Sequence, residues 1–263
     1  MLNQYTSLIP TRWGNMLSLK CDSHITGALS LYGESTPDEV AVCLSFLRAG
    51  DTVLDIGANV GTFTVPMALT VGRSGGVIAF EPQRIVNQVL CANLALNSLC
   101  DYVDPVRMAV GSSESTANIT LINPFESNNN VGGVRLNQKS DASEPIPVIT
   151  IDSLNLPALR LMKIDVEGME HEVLKGASDT VSRLRPVIYA ECLPGDETNA
   201  SEMKSFFREN NYKAWMIVSP LYSPNNIRRN KVDIFGNQFD FNVLALPQEF
   251  EIPTCVYGRE IFA

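Results

Sequence analysis

Length, composition and charge restrict the class of protein before any motif is considered. The chain has 263 residues, of which 45% are hydrophobic and 19% charged, which suits one large α/β domain and argues against global disorder. Its net charge of −9 argues against a surface that neutralises nucleic-acid phosphates or an anionic membrane, so we expect neither as a partner.

The first 20 residues lack the basic start and the unbroken apolar stretch of a signal peptide. No run of the chain approaches the roughly 18 apolar residues of a membrane span. The six cysteines are scattered, without a CxxC pair or a zinc-binding spacing. We therefore expect reduced, mostly buried thiols in a cytoplasmic protein.

Residues 1–34 are interpreted as an irregular leader that packs over the active site, ahead of a single domain over residues 35–263. A helix start follows the leader. Thr36 can cap this helix, Glu39 completes a capping box, and Gly50 closes it. The apolar residues between these points recur at helical spacing.

Short apolar runs then alternate with helical patterns, which is typical of βαβ units and a parallel sheet. The predicted strands cover residues 53–56, 77–80, 103–110, 161–164 and 186–190, with helices over 62–71 and 82–97. The last apolar run, 241–246, has only a loop in front of it, which indicates a hairpin-joined antiparallel strand. The sequence therefore predicts an α/β, Rossmann-like fold, mostly parallel, with an antiparallel C-terminal edge strand.

One stretch, residues 116–151, interrupts this alternation. Two β-like runs, 118–122 and 146–151, flank a polar loop that contains asparagines and glycines. So long an excursion inside a compact domain is usually functional or disordered. We predict a β-hairpin flap over the active site.

The motif VLDIGANVGT has the spacing of a cofactor site. Asp55 ends a buried strand, Gly57 and Gly61 follow two and six positions later, and a helix begins at once. Gly57 lets the backbone pass close to a ligand. The helix N-terminus after Gly61 favours a carboxylate, and Asp55 can attract an ammonium group. The methionine moiety of S-adenosylmethionine carries both groups.

The motif IAFEP supplies a second element. Glu81 ends the next strand and can accept hydrogen bonds from both hydroxyls of a ribose, with Pro82 behind it. The competing interpretation is an NAD site, whose GxGxxG fingerprint needs a second glycine where this chain has Asn59 after Ala58. The acid before the first glycine also suits an amino group better than a pyrophosphate. S-adenosylmethionine is therefore the expected cofactor.

The segments VLDIGANVGTFT, VIAFEPQ, ITIDSL, LMKIDVEGMEHEVLKGA and RPVIYAE, in this order, resemble the FkbM-type methyltransferases over roughly residues 31–246. The resemblance implies a class I methyltransferase fold and methylation usually of oxygen, sometimes of nitrogen. It implies a varied range of acceptors, including sugars, polyketide-type metabolites and peptides. The segment LYGE is similar to the family's segment before the first helix, which implies that Tyr32 and Glu34 lie near the cofactor.

Candidate groups for the chemistry lie around the LMKIDVEG motif. Asp165 follows a buried strand at the edge where open α/β sheets bind ligands, and Glu167 lies two positions later. Asp165 can contact the cofactor as well as the acceptor. A hydroxyl acceptor must lose a proton, and Asp165, Glu167, Glu191 and His24 are the candidate bases. Lys163 precedes these acids in the strand and is predicted to pair with one of them.

A divalent metal on the two acids of this motif is an alternative, because oxygen ligands suit magnesium or calcium. No histidine-rich spacing demands one, so we expect none. The favoured function is O-methylation of a small molecule, a sugar or polyketide-like metabolite. The alternatives are N-methylation of a peptide or amide acceptor, free or carrier-bound, and a cofactor-binding module without catalysis.

Overall fold

The computed structural model describes residues 4–126, 131–140, 142–251 and 262. The strands are β1 (Thr6–Thr11), β2 (Gly14–Leu19), β3 (Thr52–Ile56), β4 (Gly76–Phe80), β5 (Val103–Val106), β6 (Ala109–Val110), β7 (Ser115–Thr120), β8 (Ser143–Ile149), β9 (Leu161–Ile164), β10 (Val187–Glu191), β11 (Tyr212–Pro220) and β12 (Phe239–Pro247). The helices are α1 (Ile25–Tyr32), α2 (Pro37–Ser45), α3 (Thr64–Val71), α4 (Arg84–Leu96), α5 (Glu170–Lys175), α6 (Ser178–Leu184) and α7 (Glu197–Glu209).

A seven-stranded sheet in the order β11-β12-β10-β9-β3-β4-β5 forms the centre of the molecule. Six of its strands share one direction, and β12 runs antiparallel to both of its neighbours. Helices between the strands make this an α/β fold with a mostly parallel sheet, as the sequence predicts. The side chains of the central strands are buried on both faces, which explains their nearly continuous apolar sequence.

The position of the antiparallel C-terminal strand differs from the prediction. β12 pairs with β10 on one side and with β11 on the other, so β11 is the edge strand. The sequence analysis missed β11 because its exposed positions, Lys213, Val218 and Pro220, do not alternate regularly with its buried ones. The hairpin partner of β12 therefore lies before the long loop 221–238.

The chain order of the sheet reverses between β3 and β9. From β3 the chain continues to β4 and β5 on one side, and it returns at β9 to build the other side. Ligands of open α/β sheets bind at the carboxyl ends of the strands beside such a reversal. The ends of β3, β9 and their neighbours β4 and β10 are therefore the expected site.

Three further details of the prediction are wrong. The run 103–110 is two strands, because β5 joins the main sheet and β6 pairs with β8 in a separate three-stranded sheet with β7. The leader is regular, with the hairpin β1–β2 and helix α1. Thr36 has a left-handed backbone and makes no capping hydrogen bond, so the predicted capping box is absent.

The sequence analysis expects reduced, mostly buried thiols, and the structure describes five of the six cysteines. Cys21, Cys43 and Cys192 are buried, whereas Cys91 and Cys100 are exposed, and all five are free. Cys255 lies outside the described residues. Within the described part of the chain, no helix combines the length and the apolar character that crossing a membrane requires.

The hairpin β1–β2 is fixed to the domain through one buried amide. Asn93 of α4 is fully buried, and its Oδ1 accepts from the backbone N–H of Leu17 at 2.6 Å. Its Nδ2 donates to the carbonyls of Leu17 and Val60, at 2.9 and 2.8 Å. This one side chain therefore joins the leader, α4 and the loop after β3.

Asn93→Ala should lower the free energy of unfolding by about 2–4 kcal/mol, because buried backbone groups lose their partners. Asn97→Ala is the matched control, since Asn97 caps the C-terminus of α4 one turn later and its Nδ2 donates to Asn15 O in an exposed contact and to the backbone carbonyl of Asn93. We expect the control to lose less than about 1 kcal/mol. Urea denaturation followed by circular dichroism measures both, and equal losses would contradict the assignment.

Candidate functional site

A cavity of about 490 Å³ opens at the carboxyl ends of the central strands. Its size is that of a small-molecule or cofactor site. Many of the residues that the sequence singles out line it: His24, Gly57, Ala58, Asn59, Glu81, Pro82, Asp165, Glu167 and Glu191. The strands β3, β4, β9 and β10 thus bring together residues that are far apart in the sequence.

Beneath the floor of the cavity lies a buried ion pair. Asp55 of β3 and Lys163 of β9 are neighbours in register, with Nζ 3.6 Å from Oδ1 of Asp55 and 3.1 Å from Oδ2 of Asp165. Burial alone would lower the pKa of Lys163, but the two carboxylates outweigh it and raise that pKa. The predicted pairing of Lys163 with an acid is confirmed.

Asp55 is closed off from the cavity. It is fully buried and does not line the cavity, and its Oδ2 accepts from Thr64 Oγ1 at 2.6 Å. Asp165, at the end of β9, keeps 41% of its side chain exposed and faces the cavity. The carboxylate placed to meet a bound cation is therefore Asp165, with Asp55 fixing Lys163 from below.

The glycine loop passes directly against the end of β9. Gly57 has φ +82°, and a Cβ there would meet the carbonyl oxygen of Asp165 at 1.8 Å. Lys163 Nζ also donates to Gly57 O at 3.0 Å. Only glycine fits here, because both the backbone conformation and the space exclude a side chain. Gly61, at φ +96°, closes the loop by donating to Ala58 O and does not line the cavity.

Glu81 lies at the rim of the cavity with both carboxylate oxygens held. Oε1 accepts from the backbone N–H of Gln83 at 2.8 Å, and Oε2 accepts from that of Asn59 at 3.0 Å. Burial raises the pKa of Glu81 to about 7, against the opposing effect of these two N–H groups. The carboxylate is thus held rigidly, with lone pairs left to accept hydrogen bonds from a ligand.

Three acids converge on the opposite wall. The nearest carboxylate oxygens of Asp165, Glu167 and Glu191 all lie within 4.8 Å of one another, a spacing that also suits a divalent cation. Burial and then Asp165 raise the pKa of Glu167 to about 7. Burial and then Asp165 and Glu167 raise that of Glu191 to about 10. Glu167 therefore titrates near neutrality, whereas Glu191 is protonated there.

Glu170 supports this wall from behind. Its Oε1 accepts from the backbone N–H groups of Val166 and Gly168, at 3.0 and 3.2 Å. Its Oε2 accepts from Asn199 Nδ2 at 2.6 Å, and the side chain is fully buried. Glu170 thus fixes the turn that presents Glu167, whose own backbone has φ +59°.

Two further predicted cofactor residues, besides Asp55 and Gly61, do not line the cavity. The hydroxyl of Tyr32 donates to Val232 O at 2.8 Å and accepts from the N–H of Ile234 at 3.1 Å. The Glu34 carboxylate forms an ion pair with Arg12 at 2.5 Å and accepts a hydrogen bond from the backbone N–H of Ile227. Both side chains therefore join the leader to the loop 221–238.

Other parts of the leader and of the 116–151 segment do reach the cavity. His24 lines it, with its ring 5.7 Å from that of Phe235. β7 pairs with β8 as an antiparallel ladder, and this segment contributes Ile119, Val134 and Leu136 to the lining. This segment therefore adds apolar side chains to a cavity whose lining also contains the acids.

Most of the motifs described above lie in a segment that matches a known protein family. The model of the methyltransferase FkbM domain matches residues 55–214, which run from the acid at the end of β3 into β11. The chain belongs to this family.

Two curated proteins are similar to this FkbM chain. Methyltransferase sdnD of Sordaria araneosa is 27% identical over 163 residues, which cover 51% of this chain and 62% of that protein. The hexuronic acid methyltransferase AglP of Haloferax volcanii is 28% identical over 155 residues, covering 57% of this chain and 60% of that protein. The matched part thus spans about three-fifths of each relative.

A solved structure supports the fold of this FkbM chain. Methyltransferase FkbM from Methylobacillus flagellatus KT superposes with a TM-score of 0.50 at 17% identity, covering 76% of this chain and 45% of that one. At this identity the likeness shows the fold alone. It agrees with the class I methyltransferase fold that the sequence predicts.

The sequence analysis missed polar residues on the side of the cavity beyond β10. Glu39 of α2 and Asp240 and Asn242 of β12 all line the cavity. Glu39 was assigned to a capping box, although it lies four positions before the buried Cys43, on the apolar stripe of its helix. A carboxylate on such a stripe is the signal that could have identified it.

Proposed function

We propose that the protein is an S-adenosylmethionine-dependent methyltransferase that acts on a hydroxyl oxygen of a small molecule. The observation that carries the proposal is that one cavity contains both the rigid carboxylate of Glu81 and the close approach of the Gly57 backbone to Asp165. Membership of the FkbM family supports methyl transfer as the reaction class.

The residues present fit the cofactor group by group. Glu81 would accept hydrogen bonds from the ribose hydroxyls, and Asp165 would hold the ammonium group. Thr62 and Phe63, which line the cavity just before α3, would face the carboxylate. Met108, in the lining next to the Glu81 rim, offers apolar contact to the adenine. When bound, the cofactor supplies an electrophilic methyl group on a sulfonium.

The loop geometry supports this cofactor over a dinucleotide. A pyrophosphate needs free backbone N–H groups in the glycine loop. Here the N–H groups of Gly57 and Ala58 both donate to Phe80 O, and that of Gly61 donates to Ala58 O. The N–H of Asn59 is taken by Glu81. The loop therefore has little left to offer a phosphate.

Glu167 is the best match for the base that takes the proton of the hydroxyl acceptor. Its pKa of about 7 lies near the working pH, as an efficient general base requires. Glu191, with a pKa near 10, is protonated at neutral pH and would donate a hydrogen bond instead. Asp165 is engaged by Lys163, and His24 lies on the leader side of the cavity.

The acceptor is proposed to be a sugar or polyketide-like metabolite. The apolar side chains from the β7–β8 segment suit a carbon skeleton, and the acids of the lining suit its hydroxyl groups. N-methylation of an amide or peptide is the alternative within the same reaction class. Mass spectrometry of the product distinguishes the two, and an absence of any methyl transfer would favour a cofactor-binding module.

Glu81→Gln should weaken binding of S-adenosylmethionine by about 1.5–3 kcal/mol, the range for hydrogen bonds to a charged group. Glu114→Gln, at an exposed position outside the cavity, is the control and should bind as the parent does. Calorimetry on cofactor-free protein measures both affinities. Equal affinity in the Glu81 variant, or tighter binding of NAD than of S-adenosylmethionine by the parent, would refute the assignment.

Glu167→Gln should lower the rate of methyl transfer by roughly 10²–10⁴-fold, the usual effect of losing a general base. In the parent protein, the rate should rise with pH through about 7, because Glu167 must be deprotonated to act. The variant should lose this rise. The measurement is single-turnover transfer to the best acceptor from a panel of sugars and polyketide-like alcohols, and an unchanged pH profile would exclude Glu167 as the base.

A further inference from the structure

Glu39 is a buried carboxyl group with one oxygen left unpaired at the cavity. The residue is 4% exposed, and its Oε2 accepts from Asn242 Nδ2 at 3.1 Å. Its Oε1 is buried and has no hydrogen-bond partner among the described residues, although Glu39 lines the cavity. A buried acceptor without a partner is costly, so this oxygen points to a ligand that donates to it.

A second carboxyl group lies beside the first. Asp240, at the start of β12, lies beside Glu39, and its negative charge acts on that carboxyl group. Burial and then this neighbour raise the pKa of Glu39 well above its usual range. The hydroxyl of Tyr189 is also buried beside them, and its pKa is raised by burial and then by Glu39. The two carboxyl groups of Glu39 and Asp240 therefore disfavour a further negative charge on a ligand beside them.

The other charged groups that line the cavity also disfavour a negatively charged ligand. In the described part of the chain, the carboxyl groups that line it are Glu39, Glu81, Asp165, Glu167, Glu191 and Asp240. Lys163 is the one ammonium or guanidinium group among the described lining residues, and Asp55 and Asp165 already neutralise it. Near Glu39 a ligand carboxylate or phosphate would find no other lysine or arginine among the described lining residues, and His24 is the basic side chain of the lining that acts on Asp240.

The topology places this pair on the acceptor side. Asn242 is in register with Glu191, so the start of β12 lies beside the end of β10. Glu81 and the glycine loop, proposed for the cofactor, lie on the other side of β9, at β3 and β4. A methyl acceptor that reaches Asp165 from β10 therefore passes Glu39 and Asp240.

We propose that Glu39 and Asp240 bind hydroxyl or amino groups of the methyl acceptor and select against acceptors that carry a carboxylate or phosphate at this point. The inference rests on the proposed function and narrows its substrate class. It also separates this chain from its Haloferax volcanii relative, whose named acceptor is a hexuronic acid. The recognised chemistry is an uncharged or cationic hydrogen-bond donor.

The test uses three matched probes on one scaffold: methyl β-D-glucopyranoside, its 6-amino-6-deoxy analogue, and methyl β-D-glucuronide. Dissociation constants are measured by ligand-observed NMR on the full chain saturated with S-adenosylhomocysteine. We expect the glucoside or the amino sugar to bind at least about tenfold more tightly than the glucuronide, because like charges across a site cost several kcal/mol. If the glucoside binds more tightly than the amino sugar, the site recognises a hydroxyl group. If the amino sugar binds more tightly, it recognises an amine.

Two variants assign the selectivity to the carboxyl pair. The double variant Glu39→Gln and Asp240→Asn should reduce the preference over the glucuronide to less than about threefold, because it removes the negative charge of the pair whichever member carries it. Asp240→Asn alone, at a less buried position, should reduce the preference in the same direction if the double variant folds poorly. Glu114→Gln should keep the preference of the parent. If Glu39 and Asp240 have only a structural role, their substitution should lower the melting temperature without changing the ratio of the dissociation constants.

The outcomes separate this inference from the function on which it rests. If S-adenosylhomocysteine does not bind, the proposed function fails. If it binds and the glucuronide binds as tightly as the other probes, or none of the three binds, the acceptor inference alone is overturned. A preference that survives both substitutions would also overturn it.

Discussion

Lys163 is an ammonium group buried in the centre of a parallel sheet, and it remains charged because a carboxylate lies on either side of it. Asp55 forms an ion pair with it across the sheet, while Asp165 from the same strand and the carbonyl of Gly57 accept its two hydrogen bonds. Removing one member of such a buried set typically costs about 3–5 kcal/mol. The ion pair therefore fixes the glycine loop against the end of β9, and the cavity takes its shape from that contact.

Asp165 links the two halves of the site. It lies at the sheet reversal, between the proposed cofactor side at β3 and β4 and the proposed acceptor side at β10 and β12. Its charge contributes to raising the pKa of Glu167 and Glu191, so the same residue that would hold the cofactor also sets the protonation of its neighbours. A bound cation at Asp165 would relieve this repulsion, which couples the two halves electrostatically.

Local sequence patterns predicted the centre of the fold well and its margins poorly. The strands around Asp55 and Glu81 are short apolar runs that end in an acid, and both signals are local. The leader hairpin and β11 give weak patterns, because the buried and exposed positions of their strands do not alternate strictly. Glu39 and Asn242 meet across 203 positions, and this contact depends on β12 inserting beside β10. No local pattern contains that insertion, so the sequence could mark Glu39 by its place on an apolar stripe but could not place it beside Asn242.

The most direct test of this account is a crystal structure of the protein with S-adenosylhomocysteine. The account predicts the ribose hydroxyls on Glu81, the amino group on Asp165, and the sulfur facing the side of the cavity where Glu167 and Glu191 lie. The ion pair of Lys163 should remain as it is in the free chain. Electron density for the ligand away from Glu81, or a ribose bound elsewhere in the cavity, would contradict the assignment of the cofactor site.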